Sequence, residues 1–280
     1  MSTCNSIHAA FLAVFMSAFF CSTSAQEFKL LTYNIRYDNP ADGPNAWSIR
    51  KAELAAYIFD GSHSIVGLQE VLHHQLTFLD SCAGEYAHFG VGRDDGEMEG
   101  EYSPIFWKKS EFHLLEGSTC WLSETPQQPS KGWDAACVRI ATIVKLKDVG
   151  TQATWCIINT HWDHEGADAR VYSAELIAEI AHEAKQTCDA LVVMGDFNAL
   201  PDDPAFRAFE GVLKATAPRL SRHRSTFNAF NIRPRWMKHI DDFYVDDRVV
   251  VKDYHIEEPK SKTHHQLSDH FPVQVSVELD

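Results

Sequence analysis

The chain has 280 residues, of which 45% are hydrophobic and 11% aromatic, and its formal net charge is −14. This composition excludes an intrinsically disordered chain and supplies enough apolar side chains for a sizeable core. The acidic balance disfavours long nucleic acid as the main partner and favours small or membrane-derived substrates, because duplex binding usually relies on a basic face.

The first 25 residues differ in composition from the rest of the chain. An apolar run from Ala9 to Phe20 is followed by small residues up to Ala25, and no Lys or Arg precedes the run. Apart from the missing positively charged residues at the N-terminus, this is the pattern of a signal peptide cleaved before Gln26. No later run reaches the ~20 apolar residues that a membrane span needs. We therefore expect residues 26–280 to form one domain of a secreted or periplasmic protein.

Five of the seven cysteines follow residue 25, and none has C-x-x-C spacing. An odd number cannot all pair with one another, and no zinc-ribbon pattern exists. We expect most of them to be buried small side chains.

The first half of the chain alternates strand and helix patterns. The expected strands are Phe28–Ile35, Ser64–Val71, Tyr86–Phe89, Pro104–Trp107 and Phe112–Leu115, and the expected helices are Trp47–Phe59 and His73–Leu79. The last two strands are separated only by residues 108–111, which suggests that they pair with each other.

Two loops in this half are candidates for substrate recognition. Residues 92–102 are charged and rich in glycine, and residues 121–134 are long and polar. Loops on a rigid scaffold often carry specificity, so Arg93 and Trp133 are candidate substrate contacts. A solvated connection and a tryptophan that only anchors its loop are the structural alternatives.

The second half is expected to contain more strands and two helices. The strand patterns are Ile140–Leu146, Trp155–His161, Leu191–Met194, Lys238–Val245 with Val249–Val251 paired to it, and Val273–Val277; the helices are Ala167–Ala184 and Pro204–Phe209. After the helix Pro204–Phe209, and reaching into the strand Lys238–Val245, the chain has its local concentration of basic residues. They are Arg219, Arg222, His223, Arg224, Arg233, Arg235, Lys238 and His239. These residues could meet an anionic substrate or form a solvated surface. The whole pattern predicts two layers of sheet covered by helices.

Polar residues recur at the ends of the buried strands. They are Asn34, Glu70, His161, Asp196 with Asn198, and, before the last strand, Asp269 with His270. A single polar residue at a strand end could belong to a turn or an ion pair. Polar residues at the ends of five strands imply that these side chains converge in one cleft. Carboxylate and carboxamide oxygens are ligands for a hard cation such as Mg²⁺, and histidine can donate to phosphoryl oxygens or protonate a leaving group. No P-loop, G-x-S-x-G motif or zinc spacing is present, which disfavours nucleoside triphosphate chemistry and acyl transfer.

The motifs around these residues resemble the endonuclease/exonuclease/phosphatase superfamily. They are T-Y-N at residues 32–34, L-Q-E at 68–70, N-T-H at 159–161, G-D-F-N at 195–198 and S-D-H at 268–270, in the order of that family. The segments G-E-Y at 100–102, W-L-S-E-T-P at 121–126 and G-W-D-A at 132–135 further resemble its secreted bacterial branch. The resemblance implies a four-layer α/β sandwich, two packed mixed β-sheets flanked by helices, and metal-dependent hydrolysis of phosphoesters.

The resemblance also implies roles for individual residues. Glu70 would be the principal Mg²⁺ ligand, with Mn²⁺ as an alternative ion and with Asn34 and Asp269 near the same metal. Asp196 would ready the attacking water, and Asn198 would hold Asp196 or the substrate phosphate. His270, oriented by Asp269, and His161 would stabilise the charge on the phosphoryl oxygens.

Three further polar residues are expected at the site on the same grounds. Arg139 and Asn159 are candidate substrate contacts, and Asp241 is a candidate catalytic residue. Asp241 is followed by Asp242, and the sequence leaves open which of the two faces the site.

The leading hypothesis is a secreted Mg²⁺-dependent phosphodiesterase or phosphatase, monomeric, acting on a small or lipid-derived phosphoester. A DNA- or RNA-cleaving nuclease is the alternative enzyme. A non-catalytic binding module on the same fold is the alternative from another class, and the full set of acids and histidines argues against it.

Overall fold

The structure is a computed structural model that describes residues 26–231, 238–262 and 266–280. The predicted signal peptide lies outside the described residues, as do Arg233 and Arg235 of the basic stretch. Within the described ranges, no helix has the length and apolar character needed to cross a membrane.

The described chain forms strands, α-helices and short 3-10 segments. The strands are β1 (Phe28–Asn34), β2 (Ile65–Gln69), β3 (Tyr86–Phe89), β4 (Ile105–Lys108), β5 (Phe112–Trp121), β6 (Ile140–Asp148), β7 (Thr154–His161), β8 (Ala190–Asp196), β9 (Lys214–Ala215), β10 (Asp241–Val245), β11 (Val249–Ile256) and β12 (Val273–Leu279). The α-helices are α1 (Trp47–Ile58), α2 (His73–Cys82) and α3 (Ala167–Ala184). The 3-10 segments are Pro40–Asn45, Pro204–Phe209 and Ser221–His223.

The strands build two six-stranded mixed sheets. The first has the order β11-β12-β1-β2-β4-β3, and the second has the order β5-β6-β7-β8-β10-β9. The β1–β2 and β7–β8 pairs are parallel, and the other neighbours are antiparallel. Side chains from both sheets, including Leu30, Trp107, Trp155 and Met194, form one buried cluster. This cluster joins the two sheets face to face.

Helices cover the outer face of each sheet. On the second sheet, α3 buries Ala174, Ile177 and Ala181, which lie on one face at helical spacing. They pack in a cluster with Ile158 of β7 and Leu191 of β8. On the first sheet, α1 and α2 pack in a cluster with residues of β1 and β2. The layers therefore run helix, sheet, sheet, helix, which confirms the expected fold class.

Two expected strand pairings are wrong. The strand after Pro104 (β4) pairs with β2 and β3, while Phe112 opens β5, which pairs with β6 in the other sheet. The Val249–Val251 strand (β11) pairs with β12, because β8 and β9 occupy the two edges of β10. Short connections favour hairpins, but both edges of β4 and of β10 are already paired with other strands.

The topology brings the polar strand ends together. Because β1 and β2 are parallel, Asn34 and Glu70 emerge at the same edge of the first sheet. In the second sheet, His161 lies beside Asp196, and Asp241 lies beside Asp196 on the other side. The antiparallel pairing of β1 with β12 places the segment before β12 next to the end of β1. All five polar strand ends therefore meet at one end of the sandwich.

Candidate active site

A cavity of about 440 Å³ opens at this end of the sandwich. The predicted site residues that line it are Glu70, Arg139, His161, Asp196, Asn198, Asp269 and His270. Asn34 and Asp241 are fully buried and hydrogen-bond to cavity residues. Residues that are distant in sequence thus meet around one space.

Three residues of the cavity wall have strained backbone conformations. Arg36 and Glu70 have φ of 60°, and Asn198 has φ of 46°, in the left-handed region that non-glycine residues rarely adopt. Each such residue costs about 1–3 kcal/mol and persists only when its surroundings enforce it. Their concentration at one cavity supports a functional role for it.

Asp196 lies at the centre of the polar cluster. Its Oδ2 accepts a hydrogen bond from Asn34 Nδ2 at 2.9 Å, and its Oδ1 accepts one from the Asn198 backbone N–H at 2.9 Å. The Nε2 atoms of His161 and His270 lie 3.6 and 3.7 Å from Oδ2. Burial and the neighbouring Asp241 carboxylate raise the pKa of Asp196 to about 7. A carboxylate with this pKa can accept a proton near neutral pH.

Gly195 sets the backbone path that delivers Asp196. Its φ is +154°, and a Cβ built there would lie 2.0 Å from the carbonyl oxygen of Thr160 on the neighbouring strand. The G-D step of the motif therefore requires glycine for close approach of β7 and β8.

His270 is held by Asp241. Its Nδ1 lies 2.9 and 3.1 Å from the two carboxylate oxygens of Asp241. Burial alone would lower the pKa of His270, but the charges of Asp241 and Asp196 outweigh burial and raise it to about 10. The imidazole is therefore positively charged at neutral pH.

Two expectations about the acids near His270 are now resolved. Asp269 was expected to orient this histidine, but Asp241 does so, while Asp269 Oδ2 lies 3.7 Å from Arg36 Nε. Asp241 and Asp242 point to opposite faces of β10, as alternation in a strand requires. Asp242 lies 3.4 Å from His239 Nε2, so Asp241 faces the site.

The hydrogen bonds of Asn198 define the tautomer of His161. Asn198 Nδ2 donates to the carbonyl oxygen of Trp162 at 3.0 Å, which fixes the orientation of the amide. The same nitrogen lies 3.0 Å from His161 Nε2, so that atom is the acceptor and Nδ1 carries the proton. Burial and the charge of Arg139 hold the pKa of His161 well below its usual range. His161 is thus neutral, with its Nδ1–H on the side of Glu101, whose Oε2 lies 3.9 Å from Nδ1.

Glu70 and Asp269 provide oxygen ligands suited to a metal. The Arg36 guanidinium lies 3.9 Å from Glu70 and 3.7 Å from Asp269, and it also pairs with Asp42 at 3.1 Å. Three carboxylates with the guanidinium groups of Arg36 and the neighbouring Arg50 leave one excess negative charge. Oxygen donors with that excess match a hard divalent cation.

Asn34 differs from its expected role as a metal ligand. Its Oδ1 accepts the Arg36 backbone N–H at 3.0 Å, and its Nδ2 faces Glu70 Oε1 at 3.0 Å and Asp196. With its nitrogen toward the acids, Asn34 is a hydrogen-bond donor that links the two carboxylates. The oxygen ligands that remain are those of Glu70 and Asp269.

Two other side-chain groups in the described chain bring three ligand atoms within 4.8 Å of one another, and by distance alone either could bind a metal: Asp196 with Asp241 and His270, and Cys137 with Asp163 and His164. In each group, at least one of the three potential ligands is not free to bind a metal. The charged ring of His270 occupies the first group. Arg139 contacts Asp163 at 3.3 Å and His164 Nδ1 at 2.9 Å in the second. Glu70 and Asp269 are therefore the carboxylates of the cavity that could hold a metal.

Three of the predicted substrate contacts do not line this cavity. Asn159 has no exposed surface, and its amide bonds Leu68 O, Pro104 O and Gln69 Nε2 between the sheets. This corrects the expectation that Asn159 touches substrate, because its hydrogen-bonding groups are used within the protein. Trp133 stacks on Tyr172 with ring centroids 5.1 Å apart. Arg93 lies behind the cavity wall and pairs with Glu101 at 2.7 Å.

Several residues that line the cavity were not among the sequence-based candidates, and Arg36 and Glu101 are charged residues among them. Arg36 follows Asn34 by two positions at the end of a strand, which is a signal that could have found it. Glu101 lies in the loop 92–102, which was singled out only as a segment.

The chain matches a family profile and several solved structures. The profile of the Endonuclease/Exonuclease/phosphatase family matches residues 31–270. No curated protein sequence matches the chain. The structure is similar to an endonuclease/exonuclease/phosphatase from Bacteroides vulgatus at 38% identity and a TM-score of 0.83, covering 91% of this chain and 100% of that one.

Two structures from Bacteroides thetaiotaomicron are also similar. A member of the endonuclease/exonuclease/phosphatase family shares 32% identity with a TM-score of 0.83, covering 92% of this chain and 99% of that one. A mannosyl-6-phosphatase shares 32% identity with a TM-score of 0.80, covering 89% and 99%. With the polar strand ends gathered at one cavity, these matches show that the chain belongs to the endonuclease/exonuclease/phosphatase family and is a phosphoester hydrolase.

Proposed function

We propose that the chain hydrolyses the phosphoester of a small molecule with Mg²⁺ held by Glu70 and Asp269, Mn²⁺ being the alternative ion. The observation that carries this proposal is the juxtaposition of two sets of groups in one cavity. An oxygen-ligand pair with excess negative charge lies beside Asp196 and a charged His270. The first set suits a divalent cation, and the second suits proton transfer and charge stabilisation.

Each residue has a defined part in the reaction. The bound cation would supply Lewis-acid stabilisation of the phosphoryl oxygens. Asp196, with its raised pKa, accepts a proton from the attacking water. His270, charged and fixed by Asp241, donates hydrogen bonds to the oxygens on which negative charge develops. His161 accepts a hydrogen bond from Asn198 at Nε2, and its Nδ1–H lies on the side of Glu101. Asn34 holds Asp196 and Glu70 in their relative positions.

The cavity and one structural relative support a small phosphomonoester. A volume of about 440 Å³ lies at the small end of the range for ligand sites and suits a monosaccharide phosphate. One similar structure, at 32% identity, is a mannosyl-6-phosphatase. We therefore favour a sugar phosphate over the lipid-derived phosphoesters that the sequence left open.

The nuclease alternative depends on the basic stretch. Within the described chain, Arg219, Arg222 and His223 line a cavity other than the one that contains Asp196, and Lys238 of the same stretch lines the cavity with Asp196. A nuclease should bind DNA with an affinity that falls steeply as salt rises, because phosphate contacts release counterions. Weak binding without this dependence would exclude it.

A panel of phosphoesters tests the proposed function. Sugar phosphates, inositol phosphates, phospholipid head groups, and DNA and RNA are each incubated with the protein in Mg²⁺ and in EDTA. Phosphate release from sugar phosphates in Mg²⁺ alone is the expected result. Cleavage confined to nucleic acids would establish the nuclease, and turnover of no substrate would support the binding-module alternative.

We also propose that residues 1–25 direct export of a monomeric protein, which rests on sequence alone. The mass of the protein recovered outside the cytoplasm should correspond to a chain that begins at Gln26. Sedimentation of that form should give the mass of one chain.

A further inference from the structure

Arg50 of α1 is a buried cation whose hydrogen bonds within the described chain all go to backbone carbonyls. The residue is 4% exposed. Its Nε donates to Asn45 O at 2.9 Å, and its Nη2 donates to Arg36 O at 2.7 Å. Its Nη1 donates to Ile35 O and to Leu267 O, the latter at 3.1 Å. Burying a charge is costly, so a cation that is kept inside for these bonds indicates that the backbone around it must be held in place.

The bonded carbonyls belong to the two segments that deliver the candidate metal ligands. Ile35 directly follows β1, and its N–H donates at 3.2 Å to the last carbonyl of β2, after which Glu70 is the next residue. Leu267 lies two positions before Asp269. Arg50 thus joins the stretch of backbone beside Glu70 to the stretch that precedes Asp269.

The bond from Arg50 to Arg36 acts on a strained residue between the same two acids. Arg36 has φ of 60°, and its guanidinium lies 3.9 Å from Glu70 and 3.7 Å from Asp269. Such a backbone conformation persists only where the surroundings enforce it. Arg50 fixes the carbonyl of Arg36 at 2.7 Å, and Asn34 Oδ1 accepts its N–H at 3.0 Å. The position of the Arg36 guanidinium between the acids therefore depends on Arg50.

A guanidinium suits this junction better than any other cationic side chain. Its donors extend in one plane from three nitrogen atoms, and each nitrogen of Arg50 donates to at least one carbonyl. Lysine has the same charge, but its three donors share one nitrogen and cannot reach carbonyls on several sides. Exchange of Arg50 for lysine therefore loosens the junction while all carboxylates and the charge are kept.

We infer that Arg50 is a positioning residue for the metal, because it sets the separation of Glu70 and Asp269 and so the affinity of the site for Mg²⁺. This inference rests on the proposed function, which places a cation at these two carboxylates. Arg50 does not line the cavity, so it acts through the backbone of the two segments and not by contact with the cation or the substrate. Groups that orient metal ligands in this indirect way contribute about 10–100-fold to metal affinity.

Arg50→Lys tests this role in a Mg²⁺ titration without substrate. Each protein is freed of metal with EDTA, and the rise in Tm is measured at increasing Mg²⁺ relative to the Tm of the same protein in EDTA. A cation that binds the folded state raises its stability by an amount that depends on the ratio of its concentration to Kd, so the titration reports affinity separately from any loss of stability. Arg50→Lys should need at least about tenfold more Mg²⁺ than wild type for the same rise in Tm. Phosphate release should require the same increase in Mg²⁺.

The matched control is Arg248→Lys. Arg248 donates to two backbone carbonyls, Lys185 O at 3.3 Å and Cys188 O at 2.7 Å, beside its ion pair with Asp246. It follows the end of β10 that is opposite to Asp241. Arg248→Lys should lower the Tm in EDTA but leave the Mg²⁺ dependence within about twofold of wild type, because the two sites are far apart.

The outcomes separate this inference from the proposed function. A lower Tm in EDTA for Arg50→Lys with an unchanged Mg²⁺ dependence would overturn the inference, since it would limit Arg50 to a structural role. A variant that is unfolded in EDTA is titrated in trimethylamine N-oxide, which favours the folded state of each protein. Failure to fold even there would overturn the inference as well, because Arg50 would then serve the whole fold. Wild type that shows neither a rise in Tm nor phosphate release with Mg²⁺ would overturn the proposed function itself.

Discussion

The imidazole of His270 is held between two carboxylates of the same sheet, with Nδ1 2.9 Å from Asp241 and Nε2 3.7 Å from Asp196. Asp241 and Asp196 are register partners on adjacent antiparallel strands, so the sheet itself fixes their spacing. Asp241 stabilises the charged form of the ring. Asp196 is the one of the two carboxylates that lines the cavity. The pair therefore combines a proton acceptor with a fixed positive charge.

Replacing Asp241 by Asn should lower kcat by about 100-fold or more with little change in KM. The amide keeps the size of the side chain but no longer stabilises the charged ring, and proton transfer and charge stabilisation of this kind contribute about 10²–10⁴ to a rate. Steady-state kinetics on the best substrate measures both parameters. Asp242→Asn is the control, because Asp242 faces His239 and should leave kcat within about twofold of wild type. Equal kcat for Asp241→Asn and wild type would contradict the role of Asp241.

Replacing Asn34 by Asp should destabilise the metal-free protein by about 1–3 kcal/mol. The change turns a donor into a third carboxylate 3.0 Å from Glu70 and 2.9 Å from Asp196. Thermal unfolding in EDTA and in Mg²⁺ measures the effect, and Mg²⁺ should raise the Tm of this variant more than that of wild type. Asn34→Ala removes the same hydrogen bonds without adding charge and is the control. An identical response of both variants to Mg²⁺ would argue against a carboxylate cluster at this point.

The strand-end glycine is expected to tolerate no side chain. Gly195→Ala should cost about 3 kcal/mol or more in the free energy of unfolding, because its Cβ would overlap the carbonyl of Thr160 and overpacking adds to an unfavourable φ. Gly211 has φ of +78° with open space around it, so Gly211→Ala should cost only about 1 kcal/mol. Urea denaturation of both variants checks the difference. Similar losses would show that close strand packing is not what requires Gly195.

Stability should depend on the pH through His239. Burial lowers the pKa of His239, but the hydrogen bond and charge of Asp242 outweigh burial and raise the pKa above 6.5. Since the pKa is higher in the folded state, the stabilising contribution is complete below about pH 6.5 and is lost as the pH rises through the folded-state pKa. The difference in unfolding free energy between wild type and His239→Asn should therefore be larger at pH 5.5 than at pH 9. A difference that does not change between these two pH values would show that the ion pair of His239 with Asp242 does not stabilise the fold.

The fold, and the gathering of the polar strand ends at one cavity, could be predicted from the sequence. Buried strands such as β8 are continuous apolar runs, and polar residues at their ends are visible without a structure. Strand partners could not be predicted in the same way. Neither β4 nor β11 pairs with the strand that the shortest connection joins to it, because pairing depends on which sheet edges remain free. Local spacing carries no information about that.

The roles within the site depend on side-chain orientation, which the sequence does not contain. Asp269 and Asp241 are both acids near His270, and only the register of β10 against β8 shows that Asp241 holds the ring. The amide of Asn34 faces the acids with its nitrogen because the Arg36 backbone N–H occupies its oxygen. Asn159 belongs to a matching motif, but its side chain points between the sheets.

The central claim is that Glu70 binds the catalytic cation, and a Mg²⁺ titration of phosphate release tests it most directly. Wild type and Glu70→Gln are freed of metal with EDTA and assayed over increasing Mg²⁺. Wild-type activity should be absent in EDTA and should saturate with Mg²⁺, while Glu70→Gln should remain inactive or need at least about tenfold more Mg²⁺. Wild-type turnover that persists in EDTA, or a Glu70→Gln curve that coincides with that of wild type, would contradict the claim.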